Sequence, residues 1–590
     1  MIIDIPKNNK YSQVNDGEIN GTLSSTFCCD FEKNRGQLSP ATRVPLVSSE
    51  SDVPTAFAGP YLASIGAITT DRYWATVDSG VRQSTGPFRA WSDDDESGKP
   101  ADLSSANSDI ILYNNRLYVS GSTAGNLYRR TSSSWTTIAS ATNGTDPNLM
   151  TIYGDKLYIT SDGDKIHSMD DAEAVSTSGS YTFNLGNVVS KNHTISCIRA
   201  VSDGIWFGTV NDASGRALVY KWDGVTANVA DNVYQVDAKG VMSIVIQNDR
   251  PYIVDSKGAL STFNGSYFQE IARLPMEDER LEGFDRGDNA RFIHPNGMAV
   301  IDEQIHILVN NTPTDSNSKV SDRTHSGVWV FDEGIGLIHK HAICQTEADD
   351  LKDMGVLELS EVGAIYPAIQ GIRDDYDEYT KFLAGATVYT DATTEQSGVF
   401  CHIEDDNNRD FTDIIKSAHF TTTKIQATQA QESWQNIIAT YESMSNATDK
   451  IVVKYRNQNG DPTRATITWT SETTFDSTED LSSVSVGDEI TVVRGTGAGW
   501  LAHITAIAES GGTYTVTLDE TITGATGTAV VKVQTWNKIA DISDTVGDFS
   551  RHAIGAESTW IQFKVFLVGT GVSPLLNRII SVSDEKSTFK

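Results

Sequence analysis

Basic residues are scarce in this chain of 590 residues: 46 lysines and arginines stand against 78 aspartates and glutamates, a net charge of −32. Like charges repel, so a broad surface for nucleic acid or for an anionic membrane is disfavoured. Cysteine is scarce too. Cys28, Cys29, Cys197, Cys344 and Cys401 are too few and too scattered for a disulfide scaffold, and a bridge between the adjacent Cys28 and Cys29 would be strained. Cys197 and Cys401 fall inside strand patterns and read as small buried apolar residues. A chain of this length can bury large cores without such staples. No basic segment followed by an apolar core opens it, and no apolar run reaches about 18 residues. We therefore expect neither a secretory signal nor a membrane span, and a product made and released as a soluble species. Also missing are a G-x-S-x-G elbow, an H-E-x-x-H helix and a Cys-x-x-Cys pair, the spacings that announce common hydrolytic and metal chemistries.

What the chain has in abundance is a repeated hairpin. Residues 109–120 (DIILYNNRLYVS) alternate apolar residues through Ile110, Leu112, Leu117 and Val119 around a turn at Asn114-Asn115, a pair that tolerates left-handed backbone. The pattern returns at 149–160 with Gly154-Asp155, at 195–209 with Asp203-Gly204, at 241–254 with Asn248-Asp249 and at 298–309 with Asp302-Glu303. Successive starts lie about 40 to 57 residues apart, overlapping the roughly 40–50 residue period of propeller blades. Each interval holds a further strand pair, such as 217–222 (ALVYKW) followed by Asp223-Gly224, so each period supplies four strands. One blade cannot bury both of its faces alone, and stacking blades around an axis solves this. Weaker copies at 61–91, with a turn at Thr70-Asp71, and at 361–403 bring the expected count to seven, with six or eight left open.

The expected organisation is all-β throughout. Residues 1–60 form an irregular arm rich in turn formers, expected to contact another subunit in preference to its own propeller. Residues 61–410 form the β-propeller, with polar inserts at 277–289 and 311–325. Residues 411–480 and 536–590 are the two halves of a β-sandwich. Residues 481–535 are a small SH3-like barrel inserted between them, an arrangement that costs little when the ends of the insert lie close together.

The stretches 488–504 (DEITVVRGTGAGWLAHI) and 560–580 (WIQFKVFLVGTGVSPLLNRII), set in this order of domains, resemble virion tail proteins of tailed bacteriophages, particularly the nozzle or hub proteins of short-tailed phages. The resemblance is architectural and covers about residues 61–590. It implies a structural protein of the virion tail and no enzyme: a homo-oligomeric ring, a hexamer by expectation, joined to a portal or adaptor and other tail proteins. Through that ring DNA would pass transiently, an acidic wall lacking the phosphate contacts that would arrest it.

The candidates for chemistry each meet a plainer reading. Asp93, Asp95, Ser97 and Gly98 occupy calcium-loop positions one, three, five and six, but Ser104 stands where the bidentate glutamate belongs and Pro100 departs from the pattern, which favours a solvated loop. Asp374, Asp375, Asp377 and Glu378 could hold a hard cation, but solvated charge is the favoured reading. His339 and His341, with Cys344, make a zinc site conceivable without a visible fourth ligand. Gly495, Gly497 and Gly499 lack the Lys-Ser/Thr and the helix of a phosphate cradle and read as a turn. We therefore assign no catalytic, cofactor or metal residues and expect no cofactor. The alternative is a carbohydrate-binding or carbohydrate-cleaving propeller. It would need a carboxylate pair, which the sequence does not single out, or exposed aromatic rings. Trp74, Trp206, Trp222 and Trp329 lie in strand patterns that favour packing between blades.

Overall fold

The computed structural model describes, with short breaks, residues 73–84, 92–139, 148–274, 293–310, 327–344, 359–367, 382–402, 415–457 and 463–584. Of the first 60 residues it describes 2–4, 23–27, 29–30, 39–40 and 44–45. The expected inserts at 277–289 and 311–325, and the Thr70-Asp71 turn, lie outside the described residues.

Seven antiparallel sheets follow one another along the described chain, and together they form a β-propeller. Blade one pairs Tyr73–Val77 with Gly80–Ser84 and then Ser92–Asp93, and blade seven runs Leu359–Pro367, Phe382–Tyr389, Glu395–Cys401. The five between have four strands each. They span Asp109–Ala139, Met150–Asn184, His193–Gln235, Val241–Arg273 and Met298–His341. The hairpins form where local chemistry calls for them. Asn114 and Asn115 have φ of 49° and 58°, Asn248 and Asp249 of 50° and 60°, Asp302 and Glu303 of 49° and 64°. Two successive left-handed residues are the mark of a two-residue hairpin turn whose twist matches the strands it joins.

Each blade buries its faces against its neighbours. Trp222 of blade four, fully buried, meets Phe183 of blade three at 5.1 Å between ring centroids and Tyr158 edge-on at 5.7 Å. Similar cores lie between blades two and three, four and five, and five and six. Tyr366 of blade seven packs on the core shared by Trp74 of blade one with Ile110, Leu117 and Trp135 of blade two. Seven blades are present among the described residues. The turn after blade three's third strand also clamps its neighbour: Glu173 accepts hydrogen bonds from Tyr118 at 2.8 Å and from Arg116 and Arg129, all on blade two.

The turn Asp255–Gly258 of blade five carries a buried acid. Its Oδ1 accepts the amides of Lys257 (2.8 Å) and Ala259 (3.0 Å), but burial outweighs these bonds and pushes the carboxyl up to about 6. A raised acid favours the folded state below the unfolded value near 3.8, and that contribution is lost as pH rises through 6. Asp255→Asn keeps the accepting oxygen without the charge. It is expected to match the parent in stability at pH 4 and to exceed it by roughly 1–3 kcal/mol at pH 7, as paired thermal melts would show.

The sandwich packs two sheets face to face. One orders Ile2–Asp4, Leu576–Asp584, Glu432–Tyr441 and Asp548–Ser558; the other orders Leu23–Phe27, Ile415–Thr422, Trp560–Thr570, Lys450–Asn457 and Asn537–Ile542. Its core is continuous with that between blades six and seven: Phe382, Val330 and Ile338 belong to one cluster with Phe420, Trp434, Phe563 and Leu576. The described strands of the arm pair within their own chain. Ile2 pairs with Ile580, Thr26 with Phe420, and Val44 with Ile343, just past blade six. An open sheet edge has unpaired amides and carbonyls to satisfy, and the arm satisfies them.

The inserted barrel is closed, in the order Thr463–Ser471, Thr474–Ser477, Thr513–Leu518, Leu501–Ser510, Glu489–Gly495, Gly527–Gln534. It begins at residue 463, ahead of the expected boundary at 481, because Ala465, Ile467 and Trp469 alternate into the barrel's own core with Phe475 and Val531.

Candidate functional site

Two buried polar networks tie parts of the fold together, and strand periodicity places both. The first lies at the propeller axis, where the first strands of the blades converge. Asp109 opens blade two's first strand and is 3% exposed. Its Oδ1 accepts the amide of Ile110 at 2.9 Å and the Asn296 side-chain amide at 3.0 Å, while Oδ2 accepts the amide of Met150, on blade three, at 2.8 Å. Asn296, just ahead of blade six, accepts from Arg199 of blade four at 2.6 Å through Oδ1 and from the amide of Ile365, on blade seven, at 3.0 Å through its carbonyl. One carboxylate and one amide thus link five blades across the axis. Burial raises the Asp109 carboxyl, opposed by the amide of Met150 and the charge of Arg199. Burial likewise raises the phenol of Tyr366 beside them, with Asp109 adding to the shift. Hydroxyls continue the ring: Ser196 donates to the Val241 carbonyl at 2.5 Å and Ser243 to that of Pro295 at 2.7 Å.

The second network seats the barrel on the sandwich. In Trp560–Thr570 the alternate residues Ile561, Phe563, Val565 and Leu567 face the sandwich core, which turns Gln562, Lys564 and Phe566 to the opposite face. Ile451 and Val453 likewise face inward, and Lys454 and Arg456 outward. Onto this face the barrel brings Glu489, 3% exposed, whose carboxylate accepts Lys564 Nζ at 2.9 and 3.0 Å, with Lys454 Nζ at 4.0 Å. Burial raises the carboxyl, but Lys564 and Lys454 outweigh it and hold Glu489 below the ordinary carboxylate range. The cations also lie on aromatic faces: Lys454 and Lys564 each stand 5.0 Å from the ring centre of Phe566, and Arg456 5.0 Å from that of Trp536. Arg456 donates to Gln562 at 2.6 Å, and Gln562 to the Thr422 carbonyl at 2.6 Å.

The sequence candidates fall elsewhere. Asp94, within the acidic run, is fully buried and accepts Trp135 Nε1 at 2.5 Å and Arg130 Nε at 3.1 Å, which makes it a bracket inside blades one and two. Asp95 and the Asp374, Asp375, Asp377 and Glu378 cluster lie outside the described residues. His339 and His341 are both buried but part company: His339 meets Trp329 edge-on, while His341 meets His402 and Phe382 at 4.8 and 5.6 Å between ring centroids. The Cys344 side chain is outside the described residues, among which no three ligating side chains gather closely enough for a metal. Gly495 ends a barrel strand at φ 87°, as a turn residue would; Gly497 and Gly499 are not described. Trp74, Trp206, Trp222 and Trp329 are all buried, between 0% and 3% exposed, so their rings are occupied by protein neighbours.

Sequence reasoning passed over Asp109, Arg199, Asn296, Lys454, Glu489 and Lys564. The signal available was charge at a strand position flanked by apolar residues, as in Phe563-Lys564-Val565 and Val453-Lys454-Tyr455. Such a charge is paired if it is buried.

No family model matches the chain, and no curated protein matches it. Among solved structures it is similar to "YCF48 bound to D1 peptide", at 10% identity over 62% of this chain and 99% of that chain, TM-score 0.34. It is also similar to BBS1N in complex with ARL6DN, at 9% identity over 62% and 98%, TM-score 0.37. A third similarity is to the WD40 β-propeller domain of Doa1, at 9% identity over 62% and 98%, TM-score 0.34.

Proposed function

We propose that this chain is a structural subunit of a tailed-phage virion tail, a nozzle or hub protein that assembles with copies of itself into a ring around the DNA exit channel and joins a portal or adaptor. The observation that carries the reading is mechanical. Arm, sandwich and blades six and seven share one core, and the arm's first strand pairs with the chain's last, so force applied at one part passes to the others. The stretches that carry the resemblance to tail proteins also meet, in the Glu489–Lys564 pair. The net charge of −32 supports passage of DNA without retention. The role asks nothing of a catalytic centre, and the buried acids Asp94, Asp109 and Glu489 are all engaged in holding strands or domains together.

Two assays test this on the purified full chain. Light scattering is expected to show a closed oligomer, alone or on addition of the adaptor, and trace protein is expected to leave host polysaccharide at its original length. Catalytic shortening of the glycan would replace the structural reading with that of a depolymerase.

A further inference from the structure

Apolar side chains gather at one place on the rim of the propeller. Among the large apolar residues exposed on the described surface, three lie at the outer strands of blades four and five: Val233 (46%) in Asn232–Gln235, and Tyr267 (57%) and Ile271 (37%) at Phe268–Arg273. Scattered apolar residues on a surface are ordinary, whereas a contiguous group marks a contact. Here they run together. Val233 and Tyr267 are the chain neighbours of Tyr234 and Phe268, whose rings stand 6.0 Å apart, and Phe263 lies 4.8 Å from the first ring and 5.5 Å from the second. These three rings are half-buried, and Trp206 backs them, stacked on Tyr234 at 5.7 Å. Other outer strands differ: blade two exposes Thr136 and Thr137, and Leu337 and Ile338 of blade six are buried.

The same sector is where the chain's charge balances. Residues 193–274 hold seven lysines and arginines against eight aspartates and glutamates, a net −1 within a chain of −32. Along the rim the charges are paired: Arg216 and Lys257 reach Asp237 at 3.0 and 3.7 Å, and Arg273 reaches Glu270 at 2.6 Å. Two copies of so acidic a chain repel over most of their surface, so they can close on each other only where little net charge is brought in. A basic partner would be drawn to the acidic remainder instead. Charge therefore selects a second copy as the occupant of this rim. Side chains make the contact, because the ladder shifts between Leu260 and Ser261 and leaves Ile271 as a bulged residue, which spoils the edge for addition of another strand.

We propose that the rim of blades four and five is a contact between copies of this chain, one of the two unlike surfaces that a head-to-tail ring requires of every subunit. The inference rests on the ring reading above and gives it an interface, with aromatic and aliphatic side chains at the centre and the ion pairs of Asp237 and Glu270 at the margin.

Sedimentation velocity of the full chain over a concentration series, parent against the double variant Tyr267→Glu with Ile271→Glu, tests this. Both side chains are exposed, so the blade cores are left intact, and thermal melts matching the parent's would verify it. The parent is expected to assemble. The double variant is expected to need at least about tenfold higher concentration for the same degree of assembly, because two unpaired carboxylates enter the contact. Phe549→Glu, at a site on the sandwich that is 61% exposed, is expected to assemble as the parent does. The proposal is overturned if the double variant assembles like the parent, in which case the ring reading stands on another interface, or if Phe549→Glu impairs assembly equally. A parent that stays monomeric throughout overturns it as well, and the ring reading then rests on assembly with the adaptor.

Discussion

Glu489→Ala is expected to destabilise the chain by about 3–5 kcal/mol, because it leaves two ammonium groups facing each other in a seat from which water is largely excluded. Lys564 is 8% exposed and donates both of its described hydrogen bonds to the Glu489 carboxylate, with no other acid within 4.0 Å among the described ion pairs. The double variant Glu489→Leu with Lys564→Met is expected to recover most of the loss, since an apolar pair of similar volume escapes the desolvation penalty. Chemical unfolding of parent, single and double variants checks both. Equal loss in single and double variants would mean that the pair's shape, not its charge, holds the barrel. The pH dependence has a definite sign. A depressed carboxyl contributes stability above the unfolded glutamate value and loses it as pH falls through the lower folded value, so the parent's advantage over Glu489→Ala should shrink in acid.

Asp109→Ala is expected to cost roughly 3–4 kcal/mol, from three accepted hydrogen bonds lost at about 1 kcal/mol or more each in a buried site. Asp109→Asn is the sharper variant. The carboxylate meets three N–H donors, from Ile110, Met150 and Asn296, so an asparagine must turn its own NH2 toward at least one of them. It is expected to remain destabilised by about 1–3 kcal/mol even though burial raises the native acid. Thermal melts at pH 7 decide this. A neutral or stabilised Asp109→Asn would show instead that the acid is protonated at the axis.

What the sequence made legible was local. Asn114-Asn115, Asn248-Asp249 and Asp302-Glu303 pointed to their hairpins because the turn depends on the residues that make it, and the blades followed from the spacing of those turns. What stayed hidden was pairing over long separations. Asn296 and Asp109 are 187 residues apart, and no period or composition announces that they touch. The arm's Ile2 meets Ile580 for the same reason without notice. The barrel's start was misplaced because the alternation of Thr463–Ser471 would serve a sandwich as well as a barrel, and only the partner strand, Gly527–Gln534, decides between them. The lysines of the seat illustrate a third limit: Lys454 and Lys564 sit on the outward face of their strands, and nothing in the sequence says that the inserted barrel covers that face.

The measurement that bears most directly on the proposed role is single-particle cryo-electron microscopy of the intact assembly containing this chain. The account predicts a symmetric ring around an axial channel, beneath a portal or adaptor, with acidic residues on the channel wall. Isolated monomers, or peripheral copies whose propellers face outward toward solvent with no channel between them, would contradict it.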